Sequence, residues 1–205
     1  MVAIVTGASS GLGREIARLL RERGTYVVGV SRRAGADVAG DASKRLTAIR
    51  AIETAERFGT IDLLVNCAGI GIYGPAGSYD EATVTSIIES NLIATINFCE
   101  LLFPRFKDHG GTIVNVLSTA ALVGKANESV YCAAKWGARG YGEALKAEAK
   151  GTRARIIAVA PGGMNTPFWP EPRQEFMDPA DVAATIIDAI ERPVDVSELV
   201  ITRRQ

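Results

Sequence analysis

Six short apolar runs alternate along this chain with longer amphipathic stretches, and no other feature narrows the fold as far. The runs cover residues 3–5, 26–30, 61–65, 112–117, 155–160 and 198–201. Most are apolar at successive positions, the pattern of a strand covered on both sides. Helical periodicity fills residues 12–23, 43–58, 81–106, 129–150 and 181–191 between them. Strands alternating with helices predict a parallel sheet with right-handed crossovers, an α/β doubly wound architecture with helices on both faces. At 205 residues the chain fits a single domain, residues 1–205. Ser10 is placed to cap the first helix and Gly24 to end it, while Asp178 before Pro179 supplies a cap and a first-turn proline for the last. The crossover between residues 31 and 41 is abbreviated, with a short strand expected over residues 36–39.

Lys plus Arg number 23, as do Asp plus Glu, so the formal net charge is zero. No general attraction to nucleic acid or to an anionic membrane is expected. The apolar stretches fall short of the roughly 20 residues a membrane span needs, and Met1 leads into a strand-like run with no signal-peptide pattern. Cys67, Cys99 and Cys132 are odd in number and lack metal-ligand spacing. That predicts reduced thiols, no metal site and a cytoplasmic location.

The first strand runs into Thr6-Gly7-Ala8-Ser9-Ser10-Gly11-Leu12-Gly13, and a helix follows at once. Glycines at a strand-to-helix turn let backbone approach a pyrophosphate, and the free amides and positive end of the helix dipole favour its charge. A tight structural turn also accounts for such glycines. After the second strand, where an acidic residue takes the ribose hydroxyls of NAD in folds of this kind, stand Ser31, Arg32 and Arg33. A carboxylate there repels a 2′-phosphate, whereas a guanidinium grips it through paired charge-assisted hydrogen bonds. The expectation is NADP(H) preferred over NAD(H), carried mainly by Arg32; two solvated arginines are the plainer alternative.

Tyr131 and Lys135 are four residues apart in a helical pattern, hence neighbours on one face. A phenol ordinarily ionises near pH ~10, so acid–base work near neutrality requires its pKa to fall, and a buried ammonium can supply part of that. Such a pair also occurs as ordinary surface chemistry. Ser118 closes the run at residues 112–117, where a hydroxyl can meet a substrate oxygen or simply finish a strand. Asn91 lies inside a helical pattern, an unfavourable place unless its amide has a specific partner.

Taken jointly, Thr6-Gly7-x-x-x-Gly11-x-Gly13, Asn66-Cys67-Ala68-Gly69, Asn91, Ser118, Tyr131-x-x-x-Lys135 and Pro161-Gly162 leading to Thr166 resemble the short-chain dehydrogenase/reductase family over nearly the whole chain. The resemblance implies a Rossmann-type fold and hydride transfer between a nicotinamide and a carbonyl/alcohol pair, with Tyr131 as general acid/base. It implies that Ser118 holds the substrate oxygen, that Lys135 lowers the tyrosine pKa and binds the nicotinamide ribose, and that Asn91 positions a water in the proton relay. It further assigns Asp41 and Ala42 to the adenine, Asn66, Ala68 and Gly69 to the adenosine ribose region, and Pro161, Gly162, Met164 and Thr166 to the nicotinamide amide and phosphates. The substrate implied is a small ketone or 3-oxo acid derivative. The assembly implied is a homodimer or homotetramer through apolar faces of the two longest helices. Cys67 departs from the family's usual second asparagine, and Leu117 from a frequent serine. A protein that senses the nicotinamide dinucleotide without turnover is the alternative from another class, and the intact set of Asn91, Ser118, Tyr131 and Lys135 speaks against it.

Three further residues attract attention. His109, the only histidine, sits where a long helix ends at Gly110, a surface place where positive charge suits the dipole. Cys132 has no activating histidine near it in sequence and reads as a core or interface thiol. Phe168-Trp169-Pro170 either roofs the substrate site or packs a proline-stiffened loop.

Overall fold

The computed structural model describes residues 1–204. Seven parallel strands form one sheet: β1 (Val2–Thr6), β2 (Tyr26–Ser31), β3 (Val38–Ala39), β4 (Ile61–Asn66), β5 (Gly111–Val116), β6 (Ala154–Pro161) and β7 (Glu198–Ile201). Their order across the sheet is β3-β2-β1-β4-β5-β6-β7, so the chain reverses direction of growth between β1 and β4. That reversal opens a crevice beyond the carboxyl ends of the two strands.

Alternate side chains of the central strands serve the two faces. Ile4, Leu64 and Ile113 meet α2 (Arg45–Glu56), α4 (Ala94–His109) and α5 (Ser129–Glu148), where Phe98, Leu102 and Phe106 are fully buried. Ala3, Val5, Leu63 and Val65 meet Ile16 and Leu20 of α1 (Gly11–Glu22) and Ile186 and Ile187 of α6 (Pro179–Glu191). This is the doubly wound sheet expected from the alternation of runs.

The short strand expected near residues 36–39 is present as β3, and Asp37 stands just before it with one carboxylate oxygen engaged. Its Oδ2 accepts from Gly29 N at 2.7 Å and from Arg21 Nη2 at 3.0 Å. Asp178 caps α6 by accepting from Ala180 N at 2.8 Å, and Gly24 adopts φ +79 just past α1. Ser10 stands at the N-cap of α1 as expected, but its side chain makes no capping bond.

The helix expected over residues 81–106 is not uniform. It divides into α3 (Glu81–Ile88), a π-helical turn (Glu89–Ile93) and α4. Asn91 is the physical reason: its Nδ2 donates to Ile87 O at 3.0 Å, the acceptor an α-helical ladder reserves for the Asn91 backbone amide. Downstream, Ala94 N reaches Glu89 O, five residues back. The continuous helical stretch Glu81–His109 is long and apolar enough to cross a membrane, contrary to the expectation that every stretch falls short. The largest apolar side chains of α4 are buried against the sheet in this fold.

Candidate active site

A cleft of about 750 Å³ lies over the carboxyl ends of β1, β4, β5 and β6. Its floor is braced from below: Thr6 Oγ1 accepts from both Cys67 N and Ala68 N at 3.0 Å, tying the end of β1 to the loop after β4. Gly7 then turns with φ +71, and a Cβ there would meet Cys67 O at 3.0 Å. At Gly13 a Cβ would stand 2.5 Å from Gly7 O, so α1 can press its first turn onto the loop only with glycine at that position. The amides opening α1 have no side-chain cap, and its first turn holds no acidic residue. A helix start in that state presents bare donors and positive dipole to the cleft.

Among the residues expected at the nucleotide, Gly7, Ser9, Ser10, Gly11, Leu12, Gly13, Ser31, Arg32, Arg33, Asp41, Ala42, Ala68, Gly69, Pro161, Gly162, Met164 and Thr166 all line the cleft. Asn66 does not. It is buried behind the floor, with Nδ2 donating to Asn115 Oδ1 at 2.9 Å and Cys99 Sγ at 3.3 Å, where it joins β4 and β5 to α4. Its part is structural bracing, because a side chain alternating away from the cleft at the end of β4 has no path back to it. Arg32 and Arg33 are exposed at the cleft edge, and Ser31 Oγ accepts from Arg33 N at 3.1 Å. Burial raises the Asp41 carboxyl, but hydrogen bonds from Ser43 and the nearby Lys44 and Arg32 charges outweigh it and hold the group below its ordinary value.

At the other end of the cleft the four expected catalytic side chains come together from three places in the fold. Ser118 follows β5, Tyr131 and Lys135 stand on α5, and Asn91 comes from the π turn. Asn91 also donates to Ile70 O at 2.8 Å, while its Oδ1, buried and without a partner, faces Gly69 so closely that a Cβ there would stand 2.5 Å away. Lys135 is 5% exposed and donates from Nζ to Val116 O at 3.1 Å. Its Nζ lies 5.8 Å from the Tyr131 ring centroid.

The electrostatics differ from the simple expectation that Lys135 depresses the tyrosine. Burial pushes the Tyr131 phenol above its ordinary value, with the Ser118 hydroxyl pulling the other way. Burial likewise pushes Lys135 down to about 8, with Cys67 opposing. The Cys67 thiol itself is pushed up to about 12 by burial, against the pull of Lys135. In the protein by itself both members of the Tyr-Lys pair are therefore driven toward their neutral forms, since desolvation disfavours either charge.

Sequence reasoning missed part of the wall. Tyr73, Lys125, Glu128 and Phe176 line the cleft beside the catalytic four, and all come from loops or helix-entry positions with no periodic signal. Phe168 and Trp169 both line the cleft and pack their own loop. Phe168 meets the Tyr131 ring edge-on at 6.1 Å over the cleft, and Trp169 Nε1 donates to Met164 O at 3.1 Å, holding the loop. Cys132 is buried beside Ile87, Ala120 and Ala134, and His109 packs its ring on Phe106 in the last turn of α4.

Comparison with known proteins agrees with this geometry. A family model described as short chain dehydrogenase matches residues 1–175. Sepiapterin reductase of Chlorobaculum tepidum is 31% identical over 94% of this chain and 91% of its own. The 3-oxoacyl-(acyl-carrier-protein) reductase FabG of Vibrio cholerae is 34% identical over 80% of this chain and 74% of its own. The crystal structure of a short-chain dehydrogenase/reductase from Vibrio parahaemolyticus superimposes with a TM-score of 0.88 at 32% identity, covering 98% of this chain and 96% of that one.

Proposed function

The chain belongs to the short-chain dehydrogenase family of oxidoreductases, which act on CH–OH and C=O groups of small molecules with a nicotinamide dinucleotide, and on that premise we propose that it is an NADP-preferring carbonyl reductase. The observation that carries this reading is the meeting of Asn91, Ser118, Tyr131 and Lys135 at one end of a cleft whose other end holds the glycine turn and Arg32.

The residues present fit the dinucleotide. The uncapped start of α1 suits the pyrophosphate, and the exposed guanidiniums of Arg32 and Arg33 suit a 2′-phosphate. Asp37, the nearest carboxylate after β2 and the one that would oppose that phosphate, is held by Gly29 and Arg21. Asp41 and Ala42 would take the adenine side, Ala68 and Gly69 the adenosine ribose, Lys135 and Tyr131 the nicotinamide ribose, and the stretch from Pro161 to Thr166 the nicotinamide amide. When bound, NADPH supplies the hydride, and in oxidised form its ring adds positive charge that counters the upward pull of burial on the phenol. Ser118 holds the substrate oxygen and stabilises the negative charge that gathers on it. Tyr131 gives that oxygen its proton, and Lys135 and Asn91 lead the replacement proton in from solvent.

Titration of NADPH and NADH by fluorescence, followed by absorbance assays on ketones, aldehydes and 3-oxo esters, tests the proposal. Tighter NADPH binding with turnover of a carbonyl is the expected result. Tight binding with no turnover across the panel overturns the enzyme reading in favour of a sensor, and binding of neither nucleotide overturns the cofactor reading. A homo-oligomer belongs to the same proposal, since Ile93 and Trp136 remain exposed on the helical face away from the sheet; light scattering that returns a monomer mass overturns that part.

A further inference from the structure

The cleft wall around Tyr131 is aromatic, and one carboxylate is set into it. Tyr73 lies 5.6 Å from Tyr131 and 5.5 Å from Trp169 between ring centroids, and Trp169 lies 5.4 Å from Phe176. Phe168 bridges Tyr131 and Trp169, and Gly71 behind it leaves no room for a side chain: a Cβ there would stand 2.4 Å from the Phe168 ring. Glu128, half-buried at the entry to α5, lines the same space. Among the described residues its carboxylate has no ion-pair or hydrogen-bond partner. Lys125, the nearest cation in sequence, makes no ion pair with it; its Nζ donates to Thr119 Oγ1 at 2.9 Å.

Aromatic faces carry negative charge density and attract cations, most strongly where water is partly excluded. A carboxylate beside them needs a positive partner or pays for its lost hydration. An anionic or wholly apolar substrate group leaves Glu128 without such a partner, whereas an ammonium satisfies the carboxylate and the Tyr73 ring together. We propose that the substrate of this site carries a protonated amine close to the reacting carbon, received by Glu128 and the Tyr73 ring, so that the reacting pair is an amino alcohol and an amino ketone; Trp169, stacked on Tyr73 and already beneath the Arg173 guanidinium at 5.8 Å, backs that ring. This rests on the oxidoreductase reading above and adds the substrate class.

The step balances without any change at nitrogen. In the oxidative direction the carbinol C–H bond breaks and its hydride goes to an oxidised nicotinamide dinucleotide. The hydroxyl proton passes through Tyr131 to solvent as the C=O bond forms, and reduction reverses each transfer. Glu128 adds to the upward pull on the Tyr131 and Tyr73 phenols, and an ammonium beside it offsets that pull. The group that selects the amine thereby also eases proton transfer for amine-bearing substrates.

The test compares 2-amino-1-phenylethanol with 1-phenylethanol, alike in ring and carbinol carbon, as substrates of the full chain and of Glu128→Gln with NADP⁺. Beside it, phenethylamine, which has no hydroxyl to oxidise, is titrated against the tryptophan fluorescence of both proteins. The amine-bearing alcohol is expected to have the higher kcat/KM by about tenfold or more, the scale of one charge-assisted contact. In Glu128→Gln that preference collapses and phenethylamine binding weakens by a similar factor. Equal use of the two alcohols, or a preference that survives in Glu128→Gln, overturns the proposal. If neither alcohol is oxidised, the oxidoreductase reading is what fails for this pair, and the titration decides the amine site: Glu128-dependent binding supports it and its absence overturns it.

Discussion

Lys135 shows how much chemistry a single side chain carries here: it is almost fully enclosed, spends one donor on Val116 O, and keeps the remainder of its ammonium in the cleft beside Tyr131. Replacing Tyr131 with Phe keeps the ring contacts to Tyr73 and Phe168 and removes only the hydroxyl. Turnover should fall by about 10²–10⁴-fold, the usual worth of a positioned acid–base group, with an unchanged circular dichroism spectrum. Arg32→Asp substitutes a repelling charge for an attracting one at the cleft edge. The ratio of kcat/KM for NADPH over NADH should drop by about tenfold or more, and an unchanged ratio would remove Arg32 from the phosphate site. The meeting of Tyr131, Lys135, Ser118 and Asn91 in one cleft was legible in the sequence because their places depend on spacing within helices and at strand ends. Tyr73 and Glu128 were not, since a loop and a helix entry carry no periodicity to say which way a side chain faces. The direction of the Asn66 side chain was hidden for a related reason: its motif marks the end of β4, but only the pleat turns the side chain toward Asn115 and away from the cleft.

The helical stretch from Glu81 to His109 is where local propensity and tertiary need part company. Periodicity read the segment as one helix, and the π turn became visible only through the partners of the Asn91 amide, one of which, Ile70 O, lies in a distant loop. Asn91→Ala deprives Ile70 O of its side-chain donor in a buried place and removes the competitor for Ile87 O. The expected cost is about 1–3 kcal/mol, read as a lower urea midpoint, together with loss of turnover from the disturbed loop around Gly69. The uncapped start of α1 was equally hidden. Ser10 has the composition of a capping residue, and only the structure shows that its side chain makes no such bond, leaving the helix start for another anion. The caps of α6 and the end of α1 could be read directly because Asp-Pro and glycine act locally, whatever the surroundings.

Across the whole molecule the parallel, doubly wound sheet follows from the alternation of runs, while the strand order is seen only in the structure, and its reversal between β1 and β4 gathers the cleft residues at one end of the sheet. Stability inherits a pH signature from that gathering. Burial holds the folded pKa of Lys135 at about 8, below the ordinary lysine value, so above pH 8 this side chain binds more protons in the unfolded chain than in the folded one and its contribution to stability rises with pH. The gain from Lys135 should be on the order of 1 kcal/mol between pH 7 and 9, and the Cys67 and Cys99 thiols, both raised to about 12, oppose it in the same window because in the unfolded chain they already lose protons near pH ~8.5. The change in stability between the two pH values, read from urea midpoints, should be more positive by about 1 kcal/mol in the native chain than in Lys135→Met; equal changes in both would assign the pH dependence elsewhere.

Gly11, at the start of α1, packs against Thr166, beyond the end of β6, across the mouth of the cleft. Those two residues leave the ribosome far apart in time. β1 emerges before β4 can pair with its second edge, and the glycine turn then waits through β5 and β6 for the wall that faces it. A growing chain therefore displays its phosphate loop long before anything closes over a nucleotide, and capture of the dinucleotide is a late event in synthesis, one that a chain cut short before Thr166 never reaches.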